Sequence, residues 1–173
     1  MSVVGMVQIE NAIWMVQNSD GSVLYSTCDD GLVAYRASAD GVLTEFSRLR
    51  LRGLTVPCHA AFSPDGAHLA WAEYRNGVVG LVSLAADGSF IENSLKMARH
   101  EGRGYSSPRQ DSPHAHCVQF SFDGKYVFVV DLGLDEVKVY VRTYAYDRST
   151  CQLSPLAELA GPHRPLFVMF KEG

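Results

Sequence analysis

Residues 62–88 read FSPDGAHLAWAEYRNGVVGLVSLAADG, a stretch in which Asp-Gly or Asn-Gly pairs begin at Asp65, Asn76 and Asp87. Glycine accepts the positive φ angles that tight hairpin turns require, and Asp or Asn commonly precedes it in such turns. Successive pairs lie 11 residues apart, a spacing that leaves room for one short strand between turns. The stretch therefore predicts a β-meander.

The same pattern occurs on both sides of this stretch. Further pairs begin at Asp20, Asp30, Asp40 and Asp123. Between the turns, β-branched, aromatic and other apolar residues occupy alternate positions, as is typical of strands; examples are Val23, Tyr25 and Thr27, then Leu69, Trp71 and Glu73, then Tyr126, Phe128 and Val130. Residues 125–130 are apolar on both faces after the first position, which predicts a sheet enclosed between two neighbouring sheets.

The meanders themselves repeat along the chain. Phe62-Ser63-Pro64-Asp65-Gly66 aligns with Phe120-Ser121-Phe122-Asp123-Gly124 and with the earlier Ser19-Asp20-Gly21. The steps between their aspartates are 45 and 58 residues, and the second step contains an insertion from Arg99 to Pro113. Such steps fit a four-stranded propeller blade. A β-sandwich would explain the strands but not the repetition, and the Gly-His and Trp-Asp signatures of Trp-Asp repeats are absent.

We therefore predict an all-β fold made of β-propeller blades, each a four-stranded antiparallel meander, as an incomplete part of a seven-bladed propeller. The 173 residues form a single partial domain. Its expected blades are residues 11–58, 59–115 and 116–164, with the start of another blade at 165–173.

Composition excludes several classes of function. The formal charge of −4 and the pI near 5.8 give no basic surface for nucleic acid. No window reaches roughly 18 apolar residues, and the first residues contain no positively charged leader, so we expect no membrane contact and a cytoplasmic location. The four cysteines lie far apart without paired short spacing, which predicts reduced buried thiols, no metal site and no cofactor.

Histidines concentrate at one position of the repeat. In a propeller the first strand of each blade lines the central channel, and the loops leading into those strands meet on one face. Four of the six histidines occupy this position: His59, His114, His116 and His163. The pattern predicts a site at the channel mouth, whereas the structural alternative is that His59, His114 and His116 form hydrogen bonds between blades. His68 and His100 are expected at the surface without a role.

The richest constellation is Arg109, Gln110, His114 and His116, on the long segment before the third blade. Guanidinium and imidazole groups bind carboxylates and phosphates. Imidazole also titrates near neutral pH, so it serves as a general base toward water, and a nearby arginine stabilises the oxyanion formed when water attacks an ester. These residues predict a small, anionic, hydrolysable substrate, although Arg109 alone is equally explained as a solvated loop residue.

Three strings carry a resemblance to a known family: Val-Pro-Cys-His-Ala-Ala-Phe-Ser-Pro-Asp-Gly at 56–66, Arg-Gln-Asp-Ser-Pro-His-Ala-His at 109–116, and Asp-Leu-Gly-Leu-Asp at 131–135. They resemble the signature segments of the seven-bladed β-propeller lactonases, the family of 6-phosphogluconolactonase and carboxymuconate cyclase. The resemblance implies metal-independent hydrolysis of 6-phosphogluconolactone to 6-phosphogluconate. In the cyclase branch it implies interconversion of a muconate and its lactone.

The resemblance also implies roles for single residues. His116, together with His114, is expected at the catalytic channel mouth. The family places an arginine in a Gly-Pro-Arg-His segment of the next blade, and here Gly161-Pro162-His163-Arg164 has the last two residues transposed. Arg164 is therefore the carried-over catalytic arginine, and His163, His59, Arg109 and Gln110 are expected to bind the substrate. The acidic residue that the family places one blade later has no counterpart.

Blade number leaves a second function class open. Three repeats account for the chain, whereas the family fold has seven, so a non-catalytic propeller or an interaction module is the competing hypothesis. An open arc of blades would leave apolar faces uncovered at both ends, which favours self-association. Asp131 and Asp135 are expected to shape a strand-ending turn.

Overall fold

The computed structural model describes residues 3, 5–104, 110–134 and 140–160. Within them, twelve strands form three four-stranded antiparallel sheets in chain order, and no residue is helical. The first sheet contains β1 (Met15–Gln17), β2 (Val23–Cys28), β3 (Gly31–Ala37) and β4 (Leu43–Arg50). The second contains β5 (Pro57–Phe62), β6 (His68–Glu73), β7 (Val78–Leu84) and β8 (Phe90–Arg99). The third contains β9 (Ala115–Phe120), β10 (Tyr126–Asp131), β11 (Tyr140–Asp147) and β12 (Gln152–Ala160).

These sheets confirm the prediction of four-stranded antiparallel blades. The predicted divisions after residues 58 and 115 fall inside β5 and β9, because each blade's first strand begins slightly before the division we placed. The connections between sheets are instead residues 51–56 and 100–114. The segment 165–173, where we expect another blade to start, lies outside the described residues.

The turns match the sequence pattern. The glycine of every Asp-Gly or Asn-Gly pair has a positive φ, between 61° at Gly77 and 139° at Gly31. In the repeated Ser-x-Asp-Gly turns the serine hydroxyl donates to the aspartate carboxylate. The distance is 2.5 Å between Ser63 and Asp65 and 2.6 Å between Ser121 and Asp123. Each aspartate also accepts a backbone N–H two residues later. The turns are thus held by local hydrogen bonds that the repeated residues themselves supply.

The second sheet is buried on both faces. Leu69 and Trp71 pack toward the first sheet, whereas Ala70 and Ala72 pack toward the third, and all four are 0 % exposed. In the third sheet Val127 and Val129 pack into the core shared with the second sheet, whereas Val130 belongs to a separate cluster on the other face. The two apolar faces of the second sheet therefore produce stacked sheets. The 125–130 segment predicted a neighbour on both sides of the third sheet, but among the described residues only the second sheet packs against it, and Tyr126 is 38 % exposed.

The outer face of the first sheet differs from our expectation of an uncovered blade. Val33 and Tyr35 on that face are 0 % and 3 % exposed. Ile9, in the segment before β1, packs against this cluster. That segment covers the apolar face, so the prediction of an exposed end is wrong for this blade.

Hydrogen bonds join neighbouring sheets. The Tyr25 hydroxyl donates to the Gly88 carbonyl at 2.6 Å and links the first sheet to the second. Between the second and third sheets, His68 Nδ1 lies 2.5 Å from the Tyr146 hydroxyl. Because His68 is only 6 % exposed, the expectation that it lies at the surface is wrong; its partner is 78 residues away.

His59 also joins the second and third sheets. Its Nδ1 accepts a hydrogen bond from the Val118 N–H at 3.4 Å, and its ring lies against that of Trp14, with centroids 4.3 Å apart and the planes tilted by 33°. The residue is 6 % exposed. Burial, followed by the nearby His116, lowers the pKa of His59 to about 4, so the ring is neutral at pH 7.

Gly80 tests how closely Trp71 packs on the face of the second sheet that meets the first. A Cβ added at Gly80 would lie 2.0 Å from Cζ2 of Trp71, whose side chain is fully buried and cannot move aside. We expect Gly80→Ala to lower the free energy of unfolding by about 1–3 kcal/mol, measured by urea denaturation. Gly5→Ala is the control, because nothing lies within 4 Å of its added Cβ. Equal unfolding midpoints for the two variants would contradict this packing.

His59 gives the fold a pH dependence. Between about pH 6.5 and pH 4 the unfolded chain binds a proton that the folded His59 does not, so stability falls as pH falls through this window. We expect the free energy of unfolding to fall by about 1.4 kcal/mol for each pH unit below about pH 6.5. In His59→Gln, which keeps His68, the free energy of unfolding should depend less on pH over this window. Denaturation measured at several pH values checks this. Parallel profiles for the two proteins would refute it.

Candidate functional site

The candidate site forms where three connections meet at one end of the second and third sheets. These are the segment 100–114 before β9, the turn between β6 and β7, and residues 132–134 after β10. β5 and β9 lie side by side there: the Cys58 thiol donates to the carbonyls of Ala115 at 3.5 Å and His116 at 3.2 Å. The first strands of two neighbouring blades are therefore in direct contact, as a shared channel requires.

Two glycines clamp the segment that precedes β9. Gly77 has a φ of +61°, and a Cβ there would lie 2.5 Å from Cβ of Pro113. A Cβ on Gly133 would lie 1.9 Å from the Ser112 carbonyl oxygen. Both positions therefore require glycine on steric grounds. This contact explains why the Asp-Leu-Gly string accompanies the His-x-His string in the sequence.

His114 is oriented from two sides by Tyr74. Its Nδ1 lies 3.0 Å from the Tyr74 carbonyl oxygen, and the two rings stack in parallel at 4.3 Å with an interplanar angle of 4°. A carbonyl only accepts hydrogen bonds, so Nδ1 carries a proton. In the neutral ring the lone pair is then on Nε2. The fold thus selects the tautomer in which Nε2 of His114 is the basic atom.

His116 lies near the same tyrosine. It is half-buried on β9, and its ring meets the Tyr74 ring edge-on, with centroids 6.2 Å apart. The structure therefore brings His114 and His116 together around Tyr74. The sequence analysis did not single out Tyr74, because its position in a β-turn gives no periodic signal.

The other predicted site residues differ in how they are placed. The contacts of His59 with Val118 and Trp14 agree with the structural alternative, as does the bond between His114 and the Tyr74 carbonyl of the second sheet, and the substrate roles of both histidines stay predictions. Gln110 is 5 % exposed, and its amide donates to the Leu132 carbonyl at 3.3 Å, which connects its segment to the end of β10.

Arg109, His163 and Arg164 lie outside the described residues, and their roles stay predictions.

A buried pair of side chains that no sequence motif indicated lies behind His114. Nδ1 of His100 lies 2.6 Å from Oδ2 of Asp131, and both side chains are 0 % exposed. Oδ1 of Asp131 accepts the N–H groups of His114 and Gly133, each at 2.8 Å. These bonds confirm that Asp131 shapes the strand-ending turn. The expectation that His100 lies at the surface is wrong, because its partner is 31 residues further along the chain.

All four cysteines are free, with Cys58 half-buried and the others buried. Burial raises the pKa of Cys58 to about 12, so its thiol stays protonated at neutral pH. Over the described ranges, no group of three or more His, Cys, Asp or Glu side chains could hold a metal ion. In the same part of the chain, no helix has the length and apolar character needed to span a membrane.

Several known proteins resemble this chain. It is similar to the 6-phosphogluconolactonase of Bacillus subtilis, at 29% identity over 137 residues, which are 77% of this chain and 39% of that protein. Among solved structures, the periplasmic gluconolactonase PpgL of Pseudomonas aeruginosa matches with a TM-score of 0.75 and 26% identity, over 89% of this chain and 45% of that one. A Bacteroides uniformis protein matches in fold, with a TM-score of 0.81 at 21% identity, over 96% of this chain and 49% of its own.

The chain therefore spans less than half the length of each of these relatives. The sequence model of the family described as "Lactonase, 7-bladed beta-propeller" matches residues 2–164. With three blades of the expected architecture and a family match over nearly its whole length, the chain belongs to the seven-bladed β-propeller lactonase family.

Proposed function

We propose that His114 and His116 belong to the active site of a lactonase that hydrolyses an anionic lactone, with 6-phosphogluconolactone as the substrate and 6-phosphogluconate as the product. The observation that carries the proposal is the pairing of the two imidazoles around Tyr74, with Nδ1 of His114 bonded to a backbone carbonyl. The names of two similar proteins, a 6-phosphogluconolactonase and a gluconolactonase, support the reaction class.

The chemistry follows from the tautomer of His114. Nε2 takes a proton from a water molecule as the water oxygen attacks the lactone carbonyl carbon. The tetrahedral oxyanion then collapses, the bond between the carbonyl carbon and the ring oxygen breaks, and the imidazolium returns the proton to that leaving oxygen. Water is added across the ester bond, and the ring of His114 ends neutral.

The substrate's charge calls for cations. In the proposal Arg164 stabilises the oxyanion, while Arg109 and His163 bind the phosphate, because guanidinium groups form paired hydrogen bonds with such anions. No step uses a metal ion, so we propose a metal-independent reaction. A phosphorylated substrate does not cross a bilayer unaided, so enzyme and substrate share one compartment, which we propose to be the cytoplasm.

Replacing the histidines tests the proposal. His114→Gln keeps an amide donor for the Tyr74 carbonyl but removes the basic nitrogen, so we expect its rate of 6-phosphogluconolactone hydrolysis to fall by about 10²- to 10⁴-fold. His116→Gln should also reduce the rate. Hydrolysis above the spontaneous rate is followed by acid release at constant pH, with and without EDTA. EDTA should leave the rate unchanged.

Lys125→Ala provides the control. Lys125 is an exposed cation at the opposite end of β9 and β10, so its loss should not change the rate. Wild-type hydrolysis no faster than the spontaneous reaction would refute the lactonase proposal and favour an interaction module. Preferential turnover of a carboxymuconolactone would refute the phosphosugar substrate but retain the site. Full activity in both histidine variants would refute the site.

A further inference from the structure

One buried carboxylate contacts both ends of the segment that leads into the candidate site. Asp131, the last residue of β10, is fully buried. Its Oδ2 lies 2.6 Å from Nδ1 of His100, the first residue of the segment 100–114. Its Oδ1 accepts the backbone N–H of His114, the last residue of that segment, at 2.8 Å. The carboxylate therefore holds the two ends of a fifteen-residue connection together.

His100 is itself fixed on several sides. Its backbone N–H donates to the Gly77 carbonyl at 2.8 Å, and its ring stacks on Tyr144 with centroids 6.1 Å apart. Because the carboxylate is the acceptor, Nδ1 of His100 donates to it. Among the residues that the structure describes, no hydrogen-bond partner meets Nε2 of His100. A buried nitrogen without a partner lowers stability, whereas the bond from Nδ1 to the buried Asp131 carboxylate stabilises the pair.

The bonds of Asp131 act on His114 and not on the substrate. Asp131 accepts the backbone N–H of His114, and the Tyr74 carbonyl bonds to its ring. Gly133 leaves room for residues 112 and 113, which come directly before His114. The same carboxylate oxygen also accepts the N–H of Gly133 at 2.8 Å, so the turn that clamps the segment depends on it as well. Removing the carboxylate would release the backbone of His114 while leaving its side chain chemically intact.

We propose that Asp131, supported by His100, is a positioning residue that aims Nε2 of His114 into the channel mouth. The catalytic part of this proposal rests on the proposed function of His114. The positional part does not, because the tautomer and orientation of His114 are measurable without any substrate.

Four proteins test the proposal: wild type, Asp131→Ala, Asp131→Asn and Val129→Ala. Asp131→Asn keeps an acceptor oxygen for the His114 N–H. Val129→Ala removes buried volume from the same strand, since Val129 is 0 % exposed, and so controls for a general loss of stability. The readouts are the ¹⁵N chemical shifts of the His114 ring, which report its tautomer, and kcat and KM for 6-phosphogluconolactone.

We expect the Nδ1-protonated form of His114 to predominate in wild type, Asp131→Asn and Val129→Ala, and to give way to a mixture of tautomers in Asp131→Ala. The kcat of Asp131→Ala should fall at least about tenfold with KM within about twofold, because misplacing a reacting group by an ångström costs up to about a hundredfold. Asp131→Asn should retain most of kcat. Unchanged His114 shifts in Asp131→Ala, or an equal loss of kcat in Val129→Ala, would overturn the proposal.

Two His100 variants keep the test decisive if Asp131→Ala does not fold. His100→Gln retains a donor for Asp131, whereas His100→Leu removes it, so only His100→Leu should lower kcat and broaden the His114 tautomer signal. Identical behaviour of these two variants would overturn the proposal. If wild type lacks lactonase activity, the proposed function fails, and the tautomer measurement alone decides whether Asp131 positions His114.

Discussion

The second sheet buries both of its faces, and the placement of His114, His116 and Tyr74 depends on that constraint. Leu69 and Trp71 face one neighbour, Ala70 and Ala72 face the other, and none of them is exposed. A sheet with two apolar faces is stable in water only between two others. Stacking in this way sets β5 beside β9, so the segments that lead into those strands converge at one end.

Close packing then determines which residues surround the candidate base. The backbone between residues 112 and 114 passes so close to Gly77 and Gly133 that neither position has room for a Cβ. The His114 N–H of this backbone would lose its hydrogen bond to water on burial, and Asp131 supplies an acceptor in its place. Burial of a carboxylate is costly unless it is hydrogen-bonded, and here three donors meet it. The backbone of His114 is thus held by a buried carboxylate and by two close glycines.

Much of the fold follows from local chemistry and is readable from the sequence. The Asp-Gly and Asn-Gly pairs mark turns because only a residue such as glycine adopts their positive φ angles, and alternation marks strands because side chains alternate across a sheet. The proximity of His114 and His116 also follows, since only one residue separates them in the chain. Tyr74 was not predictable, because its stacking on His114 joins a turn of one blade to the segment before another.

Hydrogen bonds between residues far apart in the chain explain the wrong predictions for two histidines. His68 and His100 were expected at the surface without a role. Their partners, Tyr146 and Asp131, lie 78 and 31 residues away, and no local pattern reveals such pairs. The cover over Val33 and Tyr35 was missed for a similar reason, since Ile9 belongs to a segment without strand periodicity.

The central claim is that His114 and His116 face one ligand site at the channel mouth. Titration with the reaction product, 6-phosphogluconate, tests this most directly when the ring signals of all histidines are followed by NMR. The account predicts that the signals of His114 and His116 shift together with a single saturating dependence, while that of His68, at the opposite end of its sheet, stays in place. Unshifted signals from His114 and His116 at saturating product, or a larger response from His68, would contradict it.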